Sequence, residues 1–179
     1  MLDINNTVLT IIDIQGNLAH AMHDKESLFK SLKQLIKGFT ALDIPIVLTE
    51  QNPKGLGPTL PEIMELLPGV EAISKMSFSC CDEKSYMDSL NALGKKQILI
   101  AGIETHICVY QTSAALLDMG YQVQVVADAA ASRFPENRKL ALKKMVRMGI
   151  EMTNVEMALF ELLKTADHEK FREIVKIIK

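Results

Sequence analysis

The 179 residues contain no tryptophan, an aromatic share of 5% and only three cysteines. A core must therefore come from aliphatic side chains. A disulfide framework is excluded, because the cysteine count is odd and Cys80 and Cys81 are neighbours that would pair only through a strained ring. Free thiols of this kind fit a reducing compartment, the cytoplasm. No apolar run reaches the roughly 18 residues that a membrane span needs, and Met1 to Asn6, with Asp3 and two asparagines, is not a basic and then apolar leader. Charge of one sign is also lacking: 20 basic against 22 acidic side chains give a net charge of -2, so nucleic acid and anionic membranes find no electrostatic footprint. The stretch Asp13-Ile14-Gln15-Gly16-Asn17 has a single glycine, so the cradle that dinucleotide binding requires is missing.

What is present is a chain with 48% hydrophobic residues. At this length it can bury about 70% of its unfolded surface, and one domain over 1–179 is expected. Thr7 to Asp13 is a short β-branched run with no helical stripe, which predicts a buried strand. From Lys25 to Leu42, Leu28, Leu32, Leu35, Ile36 and Phe39 recur at three and four, the face of an amphipathic helix. Ile44 to Thr49 reads as a strand again, so the first 50 residues predict a strand, a crossover helix and a parallel strand. Asn52 to Pro61, rich in Gly and Pro, predicts an irregular loop leading into a short helix around Pro61 to Leu66. Val70 to Ser74 is a minor strand candidate, Asp82 to Leu93 a helix stopped by Gly94, and Gln97 to Ala101 the most apolar, hence central, strand. Thr105 to Met119 reads as helix, Gln122 to Val126 as strand, Pro135 to Met148 as helix and Ile150 to Thr153 as a short strand. Asn154 to Leu163 and His168 to Ile178 complete the pattern as helices. Five or six apolar strands alternating with helices predict a three-layer α/β/α domain, Rossmann-like, with a mostly parallel sheet.

In such sheets ligands bind outside the carboxyl ends of the strands. There the first strand ends in Asp13, the weak third strand in Lys75, and the fourth runs into Gly102-Ile103-Glu104-Thr105-His106-Ile107-Cys108. An acid, a cation and a thiol form a kit for acyl transfer. Cys108 is expected near a helix start, where unpaired NH groups and Lys75 would favour the thiolate, and Asp13 would move the proton. Each residue alone has a plainer reading: a buried cysteine is usually packing, and an aspartate ending a strand is often a turn residue. His106 is two residues from Cys108, so their side chains should diverge. Asp128 and Arg133 are expected to pair at the end of the fifth strand.

The segments 11–15 (Ile-Ile-Asp-Ile-Gln), 48–59, 74–79 (Ser-Lys-Met-Ser-Phe-Ser), 102–109 and 127–133 resemble the isochorismatase-like cysteine hydrolases, which include nicotinamidases. Within that family the chain is most similar to a small isochorismatase-domain subgroup with no agreed substrate. The resemblance implies the isochorismatase-like hydrolase fold and a cysteine hydrolase acting on C–N bonds of a small amide or related acyl compound. It implies Asp13, Lys75 and Cys108 as catalytic residues, with a covalent thioester on Cys108. It also implies a cis peptide between Ile103 and Glu104 that turns the NH groups of Glu104 and Cys108 into an oxyanion hole. Gln15, Gln51, Phe78 and Glu104 would border the substrate, Gln51 and Glu104 as polar readers and Phe78 as an apolar wall.

Nicotinamidases carry a metal-binding Asp-x-His pair after the second strand, where this chain has Thr49-Glu50-Gln51-Asn52-Pro53. With His20, His23, His106 and His168 all outside that loop, neither a metal nor a cofactor is expected. The partner is then a small molecule, with no nucleic acid and no membrane, in a homo-oligomer. Three alternatives stay open: a non-catalytic binding or scaffold protein of the same fold, a nicotinamidase-type amidase, and a peroxide-responsive thiol protein with Cys80 or Cys81 as resolving partner.

Overall fold

A computed structural model describes all residues from Met1 to Lys179. Its sheet has six strands: β1 (Thr7–Ile12), β2 (Ile46–Gln51), β3 (Ala72–Lys75), β4 (Gln97–Ile103), β5 (Gln122–Ala131) and β6 (Glu151–Thr153). Every neighbouring pair runs parallel, in the order β3-β2-β1-β4-β5-β6. Nine helices accompany it: α1 (Gly16–His20), α2 (Lys25–Ala41), α3 (Pro53–Leu56), α4 (Pro61–Met64), α5 (Lys84–Leu93), α6 (Tyr110–Asp118), α7 (Pro135–Met148), α8 (Val155–Leu163) and α9 (Phe171–Ile178).

The period-two geometry of the strands divides the core in two. Leu9 and Ile11 of β1, with Leu99, Ala101 and Ile103 of β4, pack on one face against α2, α8 and α9. Val8 and Ile12, with Ile98 and Ile100, pack on the other against α5, α6 and α7. Helices therefore cover both faces, and β1 and β4 are buried along their whole length. The α2 stripe is the one its spacing predicts: Leu28, Leu32, Leu35, Ile36 and Phe39 are all buried.

Chain order reverses direction across the sheet between β1 and β4. From β1 the chain steps outward to β2 and β3; it then returns to β4 and steps the other way. The two strands that flank this reversal leave an opening at their carboxyl ends, the usual ligand position in open α/β sheets. They also approach closely. Ile12 lies opposite Gly102, whose φ is +125°, and a Cβ there would collide with the Ile12 backbone.

Several elements differ from the sequence expectation. The segment after Asp13 and Ile14 holds a short helix, α1, for which no periodicity spoke, and the stretch expected to be irregular contains α3. Both helices are too short to be stable alone and are held by tertiary contacts, which periodicity does not report. Thr105 does not start a regular helix: Thr105–Val109 forms one π-helical turn before α6. β5 runs on to Ala131, five residues past Val126, because its end pairs with Gly102 and Ile103 after a register shift. The last helix begins at Phe171 instead of His168. No helix is long and apolar enough to cross a membrane.

Candidate active site

Asp13 is the first residue beyond β1. It adopts a left-handed backbone (φ 59°), and its NH donates to the Thr49 carbonyl on β2. The side chain is 1% exposed and held at both oxygens: Thr49 Oγ1 donates to Oδ1 at 2.9 Å, and Lys75 Nζ donates to Oδ2 at 2.8 Å. Lys75, 2% exposed, ends β3. Its ammonium reaches across β2, donating also to Gln51 Oε1 at 2.6 Å and at longer range to the carbonyls of Ser77 (3.3 Å) and Phe78 (3.4 Å). Cys108, 6% exposed, sits in the π-helical turn after β4, with Sγ 3.9 Å from Gln51 Oε1. The structure thus brings Asp13, Lys75, Cys108 and Gln51 into one buried cluster at the carboxyl ends of four strands.

Electrostatics correct the expectation of a resting thiolate. Burial, then the negative charge and hydrogen bond of Asp13, push the Cys108 thiol from its ordinary 9.0 up to about 12, and the opposing pull of Lys75 is too small to reverse this. The reason lies in the geometry: Lys75 is already bonded to Asp13, so the thiol faces a neutralised pair. For Lys75 itself burial acts downward, but Asp13, with Cys108 and Cys80 behind it, wins and holds the ammonium above its usual range. Cys80 and Cys81 are raised by burial to about 11 and about 12, respectively.

The bordering residues divide. Gln15 does not present its amide to a ligand. It is a strut: Oε1 accepts from the Gln51 NH at 2.7 Å, and Nε2 donates to the carbonyls of Gln51 (3.1 Å) and Gly57 (2.6 Å). Glu104 is not a free reader either. Its carboxylate, 4% exposed, accepts from the Arg133 backbone NH at 2.9 Å and from that guanidinium at 3.1–3.2 Å. Arg133 is therefore unavailable to Asp128, and the expected pair does not form. Asp128 instead accepts from the Val155 NH at the start of α8 (3.0 and 3.3 Å). Phe78 is not a buried wall but 55% exposed, and only its carbonyl enters the cluster. Ile103 is buried, and the peptide joining it to Glu104 is cis. His106 turns away from Cys108 to Ser132 Oγ, 3.0 Å from its Nδ1.

Thr49 escaped the sequence reading. Its hydroxyl sits between Asp13 Oδ1 and Cys80 Sγ (3.8 Å), but in the sequence it is one more β-branched strand residue. The hydroxyls of Thr105 and Ser113 are buried without a partner. No three His, Cys, Asp or Glu side chains cluster as a metal site.

Comparison with known proteins places the fold in a family. Residues 7–157 match the isochorismatase domain family. The chain is similar to isochorismatase domain-containing protein 2 of Rattus norvegicus, 37% identical over 175 residues that cover 97% of this chain and 81% of the relative. Among solved structures it is similar to MAR1 ribonuclease from Caenorhabditis elegans, with 34% identity, a TM-score of 0.94 and coverage of 99% and 91%. It is also similar to YcaC from Pseudomonas aeruginosa with hexane-2,5-diol and covalent acrylamide, with 27% identity, a TM-score of 0.92 and coverage of 98% and 90%.

Proposed function

The chain belongs to the isochorismatase domain family, and from that premise we propose that it is a cysteine-dependent hydrolase of small amides or related acyl compounds, with Cys108, Asp13 and Lys75 as its catalytic residues. The observation that carries this reading is the buried Lys75–Asp13 pair, 2.8 Å apart, beside the Cys108 thiol. A carboxylate and an ammonium removed from water next to a thiol are costly to keep unless they do chemistry or fix the structure. The covalent acrylamide in the Pseudomonas relative supports a reactive nucleophile in this fold.

The thiol rests protonated, so attack and proton transfer are coupled. As Cys108 Sγ bonds to the acyl carbon, its proton passes to Asp13, and the carbonyl electrons move onto oxygen. The backbone NH groups of Glu104 and Cys108 are assigned to that oxyanion. Collapse breaks the C–N bond, and Asp13 gives its proton to the departing amine, leaving a thioester. Water then adds to the thioester while Asp13 takes its proton, and Cys108 leaves as the thiol. The sum is amide plus water giving acid plus amine. Lys75 holds the Asp13 carboxyl in position throughout. The scheme uses no metal or cofactor.

A panel of small carboxamides with ammonia detection tests this. Cys108→Ala, at unchanged fold, and Asp13→Asn, with β3 loosened, should each lower turnover by about a thousandfold or more. Full turnover in Cys108→Ala would sink the mechanism. The same preparations should be offered RNA, because the nematode relative is described as a ribonuclease; RNA cleavage that survives Cys108→Ala would replace the amide reading with that one. Three free thiols suit the cytoplasm. A homo-oligomer is proposed from the exposed Leu140 and Val146 on α7 and Met157 on α8, and a light-scattering mass of one chain would remove it.

A further inference from the structure

The cluster is closed. Asp13, Lys75 and Cys108 are each at most 6% exposed. A cavity of about 1040 Å³ between α2 and α9 shares no residue with them. A cavity of about 320 Å³ reaches Lys75 from the side of Asn52, Lys54, Met76 and Glu83, yet the Lys75 side chain itself has no exposed surface. A substrate therefore needs something to move. One group is placed to do so, the half-buried Gln51 carboxamide.

Its orientation is dictated by chemistry: Lys75 can only donate, so it faces Oε1 (2.6 Å), and the Met76 carbonyl can only accept, so it faces Nε2 (2.8 Å). The same Oε1 is the acceptor for the Cys108 thiol. A primary carboxamide of the protein thus occupies the space between the nucleophile and its cation. Two features make it replaceable. Lys75 has four acceptors for three protons, so losing Gln51 leaves Asp13 and the carbonyls of Ser77 and Phe78 to satisfy it. The Gln51 backbone is pinned independently, by both ends of the Gln15 amide and by pairing with Lys75 in the sheet, so the side chain can swing out without moving the strand.

We infer that the Gln51 carboxamide is a displaceable plug that stands in for the substrate's own primary carboxamide, and that substrate enters by exchanging with it. The inference rests on the hydrolase reading for its substrate class, but the plug is testable without turnover. The probe is iodoacetamide alkylation of Cys108, followed by peptide mapping at fixed pH. Gln51→Ala should alkylate at least tenfold faster than the unmodified protein. Gln51→Asn, one methylene too short to reach Lys75, should be faster too and guards against a misfolded alanine variant. A wild-type alkylation rate in both variants overturns the plug. Propionamide should protect Cys108 of Gln51→Ala at a concentration at least fivefold lower than in the wild type, while N,N-dimethylpropionamide should not protect; equal protection by the two overturns the carboxamide class. If nothing in the panel is hydrolysed yet Gln51→Ala opens the thiol, the hydrolase reading fails and the plug stands. If Cys108-dependent hydrolysis is found but Gln51→Ala alkylates as the wild type, the reverse holds.

Discussion

Thr49 and Thr105 show how differently two buried hydroxyls behave. Thr49 donates to an ionised carboxylate, so Thr49→Val should destabilise the fold by about 1.5–3 kcal/mol, read from denaturant melts. Thr105 Oγ1 has no partner, so Thr105→Val should leave stability unchanged or raise it slightly. A loss above about 1 kcal/mol would mean that the hydroxyl does have one. At this scale Asp13, Lys75 and Cys108 were readable because strand ends and residue type are both visible in a sequence. Thr49 was not, since which face its hydroxyl meets depends on strand register. Glu104 was half readable: an acid at a turn is visible, but its partner comes from Arg133, beyond another strand. The protonation of Cys108 is not legible in the sequence, which displays the lysine and the aspartate but hides the burial and the bond by which Asp13 already occupies Lys75.

Among the elements, α2 illustrates what periodicity can carry. Its stripe is the predicted one, and Phe39→Ala, at a fully buried position, should cost about 3–5 kcal/mol. The short α1 and α3 left no such trace, because their stability lies in contacts such as those of Gln15 with Gly57 and Gln51. The turn after β4 is braced to the end of β5 twice, by Glu104 with Arg133 and by His106 with Ser132. Arg133→Ala leaves a buried carboxylate with only a backbone donor from that residue. The expected loss is about 1–3 kcal/mol, discounted because the guanidinium is half exposed. Adding Glu104→Gln to Arg133→Ala should cost little more; strictly additive losses would show that the two do not act as a pair.

For the whole molecule, the three thiols contribute to the alkaline limit, together with the buried Tyr86 phenol, which burial also raises. All three have folded pKa values above the ordinary 9.0, at about 11 for Cys80 and about 12 for Cys81 and Cys108. The unfolded chain therefore loses these protons first: stability is intact below about pH 9 and falls as pH rises towards 11–12. Thermal melts from pH 7 to 11 should show this fall, and in Cys80→Ala the slope of stability against pH above 9 should be shallower by about 1.4 kcal/mol per pH unit. The three-layer architecture was legible from the alternation of strands and helices, but the strand order was not, and it is the order that sets Asp13 beside the turn of Cys108. It also leaves Lys75 on β3, a four-residue strand at the rim of the sheet, where fraying is normally easy. Here fraying would strip a buried carboxylate of its counter-ion. Peptides covering 72–75 should therefore exchange amide hydrogens nearly as slowly as those of β1, and faster once Asp13 is replaced by Asn: by topology β3 is a border, but energetically it belongs to the interior.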